Sequence, residues 1–120
     1  MKKAFVLCIG GDRLSLNLRG AMLNDQGWGV TTAAGGHEGI NRFSREPADI
    51  VVLDLNGNGA QSALIAAEIK RLRPNVPVVM IVDDPKALKE DSTRQADAVI
   101  LKVHEAAMLQ ATLRDLLQRS

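Results

Sequence analysis

The chain has no tyrosine, and Phe5, Phe43 and Trp28 are its only aromatic residues. Proteins that grip single-stranded nucleic acid stack bases on several aromatic side chains, so that class falls away. An excess of charge of one sign is missing too. Lys and Arg total 15 against 14 Asp and Glu, a net charge of +1, so no global field draws the chain toward nucleic acid or an anionic membrane. Cys8 is the single cysteine; it can form no internal disulfide and fits a reducing compartment. Its place inside an apolar run marks it as a packed, inert thiol. No apolar run approaches the roughly 18 residues needed to cross a bilayer. Met1-Lys2-Lys3 ahead of AFVLCIGG imitates a signal peptide, but Asp12 and Arg13 end the apolar run too early. The expected setting is cytosolic, with neither nucleic acid nor membrane as partner.

At 120 residues, 46% hydrophobic and 24% charged, the chain is expected to form one globular domain over 1–120 with a single core. Apolar β-rich runs alternate with amphipathic stretches throughout. AFVLCI (4–9) predicts a strand ended by Gly10-Gly11. Asp12 then caps a helix whose face is expected to carry Leu14, Leu18, Ala21 and Met22. A weaker strand follows over 28–33, then a short helix with Ile40 and Phe43. ADIVVLDL (48–55) is the strongest strand. A helix over about 60–72 presents Leu64, Ala67, Ile69 and Leu72. Strands over 76–82 and 96–102 flank a poorly patterned stretch with about two helical turns after Pro85. A last helix over about 104–118 carries Met108, Leu109, Leu113, Leu116 and Leu117.

Continuous apolar strands alternating with helices predict an α/β fold: a parallel sheet covered on both faces. With right-handed crossovers the simplest arrangement is a five-stranded, flavodoxin-like sandwich of strand order 2-1-3-4-5. Ligands of such sheets sit beyond the carboxyl ends of the strands at the switch point. That edge receives Gly10, Gly11 and Asp12 from the first strand and Asp54 through Asn58 from the third. The fourth brings Val82, Asp83 and Asp84, and the fifth brings Lys102. Converging carboxylates and a lysine suggest cation or phosphate chemistry, although each aspartate taken singly is also what a helix cap looks like. IGGDRLS is not G-x-G-x-x-G, and Gly57-Asn58-Gly59 reads as a turn. His37 and His104 have no partner spacing for a metal. No Ser-His or Cys-His arrangement points to an enzyme.

Taken together, VVLDLNGNG with Asp54 at its strand end and ADAVILKV with Lys102 resemble the receiver domain of two-component response regulators, the CheY-like fold, over essentially the whole chain. The resemblance implies that Asp54 is the phosphoacceptor, that Lys102 contacts the phosphoryl group, and that Asn56 offers its carbonyl to Mg²⁺. Partners would be a histidine kinase or a downstream effector, with a second copy of the chain as a further class. The recognition face would span roughly 86–117, with Leu88, Val99 and Met108 on or near it.

Departures from the family pattern are as informative. The acidic pair that holds the metal is replaced by Gly10 and Gly11, the phosphate-binding hydroxyl by Val82, the aromatic switch residue by Val99, and the proline after the lysine by Val103. Mg²⁺ is usually held by one or two carboxylates plus phosphate oxygens and waters, and Asp12 is the one residue offered to supplement Asp54. A non-proline cis bond costs about 2.5–4 kcal/mol, so the Lys102–Val103 bond is expected to be trans. With Lys102 as the one cation expected nearby, Asp54 should pair with it or accept N–H groups of its own loop. Three functions follow: a receiver phosphorylated on Asp54, a phosphorylation-independent pseudo-receiver that binds proteins, and a small flavodoxin-like ligand-binding domain.

Overall fold

The architecture follows from strands buried on both faces, whose side chains alternate between two helical layers. The structure, a computed structural model, describes residues 3–89 and 91–119. Five strands, β1 (Phe5–Gly10), β2 (Gly29–Ala34), β3 (Ile50–Asp54), β4 (Val78–Val82) and β5 (Ala98–Leu101), form one sheet. Its order is β2-β1-β3-β4-β5 and every pairing is parallel, as the sequence predicts. Helices α1 (Arg13–Asp25), α2 (Gly36–Arg45) and α3 (Gly59–Leu72) supply the first three crossovers, and with α4 (Glu105–Gln118), which follows β5, they form the outer layers.

Successive strand residues face opposite sides of a sheet. Val6 and Cys8 of β1 and Ile50 and Val52 of β3 therefore join one core with Leu16 and Leu23 of α1 and Leu109, Leu113 and Leu116 of α4. Leu7, Ile9, Val51 and Leu53 join the other, with Phe43 of α2 and Ala66 and Ile69 of α3. The same alternation carries Asp54, two residues past Val52, onto the α1/α4 side of the sheet.

Two expectations about helix faces are corrected. Leu14 and Leu18 are 67% and 63% exposed, and the buried stripe of α1 is Leu16, Arg19, Gly20 and Leu23. In α3, Leu64 is 70% exposed while Ala66 and Ile69 are buried. Both helices are rich enough in Leu and Ala to offer two stripes at helical spacing, and the neighbouring layer selects one. The segment after β4 forms two short 3-10 turns, Pro85–Lys89 and Asp91–Thr93, in keeping with its weak pattern. Lys102 begins a third such turn, Lys102–His104, leading into α4.

Candidate functional site

β3 ends at Asp54, whose backbone carbonyl accepts the Gly11 N–H at 2.9 Å. This bond ties the end of the central strand to the start of the β1–α1 connection. The loop that follows turns sharply, with Asn56 and Gly57 both in the left-handed region (φ 53° and 77°). Asn and Gly are the residues that tolerate that conformation. Asn58 then caps α3, its side-chain oxygen accepting the Gln61 N–H. The NGNG sequence is thereby accounted for as a turn and a helix start.

Asp54 is a buried carboxylate, 3% exposed. Its Oδ2 accepts Arg19 Nη2 at 2.9 Å and Lys102 Nζ at 3.3 Å, and its Oδ1 accepts the Asn56 N–H at 3.3 Å. Both expected arrangements, the Lys102 pair and the loop N–H, are present. The expectation that Lys102 is the one nearby cation is corrected by Arg19, which makes the shorter bond. The Lys102 contact lies at the long edge of hydrogen-bond distances, and its side chain is 35% exposed.

Arg19 is itself 3% exposed. Its Nε donates to Glu105 Oε2, and its Nη2 reaches Glu105 Oε1 at 2.8 Å as well as Asp54. Glu105 thus receives the guanidinium as a two-pronged fork, the strongest geometry available to such a pair. Burial works against the Arg19 charge, but Glu105 and then Asp54 outweigh it and hold its pKa above the ordinary arginine value. Nη1 is buried without a hydrogen-bond partner.

Neither Arg19 nor Glu105 is singled out by sequence reasoning, yet both carry a readable signal. Arg19 lies three residues after Leu16 and four before Leu23, inside the core stripe of α1. Glu105 lies four before Leu109, one turn ahead of the buried Leu109, Leu113 and Leu116 of α4. A charged residue at a core position of each of two helices packed on one sheet face is the mark of an internal ion pair.

The remaining positions are placed plainly. Asp12 caps α1, accepting the Ser15 N–H at 3.2 Å and the Ser15 hydroxyl at 2.7 Å, and these bonds lower its pKa. Asn56 is exposed, and its backbone N–H is turned toward Asp54. Val82 and Val99 pack partly buried against the α2/α3 core. Val103 is 83% exposed, and no cis peptide bond occurs among the described residues. Cys8 is buried, and burial pushes its thiol up to about 12.

These residues do not fit a divalent cation. Asp54 Oδ2 already accepts two cations, and the carboxylates Asp54 and Glu105 are paired with Arg19 and Lys102. A further unit of positive charge about 4 Å from the guanidinium meets ~4 kcal/mol of repulsion at an effective dielectric of 20. A Cβ at Gly10 would lie 3.2 Å from Leu16 Cδ1, and one at Gly11 would lie 3.0 Å from Asn56 Nδ2. Among the described residues no group of three or more His, Cys, Asp or Glu could hold a metal.

Residues 6–114 match the family model of the response regulator receiver domain. The chain is 34% identical over 80 residues to the transcriptional regulatory protein GlrR of Escherichia coli, covering 67% of this chain and 18% of that protein. It is 26% identical over 117 residues to the sensor protein GacS of Pseudomonas syringae, covering 91% of this chain and 13% of that one. The chain therefore spans less than a fifth of these two relatives. Among solved structures, the response regulator TrrA of Thermotoga maritima, crystallised with Mg²⁺ and BeF, superposes with a TM-score of 0.85 at 20% identity. That match covers 94% of this chain and 98% of TrrA. TrrA in complex with the histidine kinase ThkA gives 0.82 at 21% identity, covering 95% and 98%. The family match over nearly all of the sheet and helices, on a fold of the same strand order, makes this chain a member of the response regulator receiver domain family.

Proposed function

We propose that this receiver domain works by protein–protein recognition in a fixed state, without phosphate, as a pseudo-receiver of a two-component or phosphorelay pathway. One observation carries the reading: the Asp54 carboxylate is buried and its Oδ2 is shared by Arg19 and Lys102. A nucleophile so held is screened from a phosphodonor. The two side chains through which phosphate would act on the fold, a hydroxyl at Val82 and an aromatic at Val99, are also absent. A ligand shifts a conformational equilibrium only through contacts that differ between the states.

The partner class is a histidine kinase or a downstream effector. It is supported by the family, by a regulatory and a sensor protein among the relatives, and by the kinase complex of TrrA. The recognition face is assigned to residues 86–117, where Leu88 and Met108 are 44% and 46% exposed. We assign the domain no catalytic turnover of its own and a cytosolic setting, in keeping with its family; no helix among the described residues is long and apolar enough to cross a membrane.

A second reading has its own observation. Asp54 and Lys102, the phosphoacceptor and lysine positions of the family pattern, are in contact, as a receiver that accepts phosphate on Asp54 would keep them. Incubation with Mg²⁺ and acetyl phosphate, read by intact mass spectrometry, separates the two. No adduct is expected, and Asp54→Asn should leave partner binding intact. A stoichiometric adduct that disappears in Asp54→Asn overturns the pseudo-receiver reading.

A further inference from the structure

We propose that Arg19 is a tethered counter-cation: from inside α1 it permanently occupies the Asp54 carboxylate, and it is this residue, beyond the missing carboxylates at Gly10 and Gly11, that makes the site refuse a divalent metal. The inference deepens the fixed-state reading above by naming the residue that keeps Asp54 closed.

Four observations carry it. Arg19 is fully inside the protein, in the core stripe of α1 with Leu16, Gly20 and Leu23. Its fork on Glu105 fixes the guanidinium from the α4 side, and the same Nη2 spans to Asp54 Oδ2 at 2.9 Å. Its Nη1 is left buried without a partner, so its position answers to the two carboxylates rather than to satisfying every donor. Asp54 and Glu105 together are matched by Arg19 and Lys102, so neither carboxylate of the network is without a counter-charge. Buried ion pairs of this kind add little stability over apolar residues of the same volume. Their presence therefore calls for another role, and closing the carboxylate supplies one.

Loss of the acidic pair alone makes a competing prediction: restoring a carboxylate beside Asp54 should be enough to bring metal back. Gly11→Asp tests this, because the atom its Cβ approaches is the far end of the Asn56 side chain. Mn²⁺ alone is the probe, titrated into the whole chain and followed by electron paramagnetic resonance. The parent and Gly11→Asp should both leave Mn²⁺ free. Arg19→Met with Glu105→Gln, which removes both members of the fork together, should combine with Gly11→Asp to bind Mn²⁺ at least about tenfold more tightly than Gly11→Asp alone. Adding Asp54→Asn should abolish that gain. Arg19→Lys with Gly11→Asp keeps the tethered charge and should still refuse the ion.

Equal Mn²⁺ affinity in Gly11→Asp and in the Arg19→Met combination overturns the proposal, as does Asp54-dependent binding by the parent. No gain in a combination that still unfolds cooperatively overturns it as well. If Arg19→Met fails to fold, Arg19→Gln with Glu105→Gln replaces it under the same criteria. Metal occupancy and phosphoryl adducts are separate readouts. A parent that gains an adduct yet follows this metal pattern sinks the fixed-state reading and leaves the role of Arg19 standing.

Discussion

Arg19 shows how one side chain can set the chemistry of a site to which its residue type gives no obvious claim. Removing it leaves the buried Asp54 and the part-buried Glu105 without their shared cation, and breaking a buried pair from one side costs about 3–5 kcal/mol. Arg19→Met is therefore expected to lose about that much in urea unfolding, while Arg19→Met with Asp54→Asn and Glu105→Gln recovers most of the loss. A single variant no less stable than the parent would mean that the network is not held as described. Cys8 gives a residue-scale prediction in pH. Its folded-state pKa is raised by burial from 9.0 to about 12. Above pH 9 the unfolded chain releases this proton and the folded one does not. The stability tied to Cys8 is thus fully present below pH 9 and declines as pH rises toward 12, by up to about 1.4 kcal/mol per pH unit. Subtracting the alkaline unfolding profile of Cys8→Ala from that of the parent should show this decline.

The element that carries the most information is α1. Asp12 caps it through Ser15, and Asp12→Ala should cost about 0.5–2 kcal/mol through the lost cap. Two leucine stripes compete for its inner face, Leu14-Leu18-Met22 and Leu16-Leu23. The strand alternation that points Val6, Cys8, Ile50 and Val52 at this helix is filled by the second. Leu16→Ala should then cost about 2–5 kcal/mol and Leu18→Ala about 0.5 or less. Chemical unfolding of the two variants checks this, and equal losses would contradict the assigned face. The same register places Arg19 under Asp54, so the site depends on which stripe of α1 turns inward.

For the molecule as a whole, the fixed-state reading proposed above predicts a single conformational state. The Arg19 fork joins α1 to the start of α4, and Asp54 joins both to the central strand. A closed network of this kind leaves an added phosphate or metal few contacts with which to shift the fold. Mg²⁺ with beryllofluoride, the combination present in the TrrA crystal, is expected to leave the backbone amide spectrum of β4, β5 and α4 unmoved. Shifts spreading from Asp54 to residues 86–117 would show a working switch.

The parallel sheet, its strand order and the strand-end position of Asp54 can all be read from the amino-acid sequence. Those features follow from runs of apolar residues and from turn and cap chemistry, which are local and periodic. It also marked Gly10, Gly11, Val82, Val99 and Val103 as departures, because each is a residue type without the needed functional group. Packing in three dimensions selected Arg19 as the shorter-bonded partner of Asp54 and kept Lys102 and the Asn56 N–H beside it. Arg19 and Glu105 lie 35 and 86 residues from Asp54 and Arg19 respectively, and no local rule joins them. Their meeting depends on which of two equally periodic stripes α1 turns inward, and on α4 laying its first turn against the same face. That choice is made by layers packing on one another, where a charged side chain in a core stripe takes whatever counter-charge the opposite element brings.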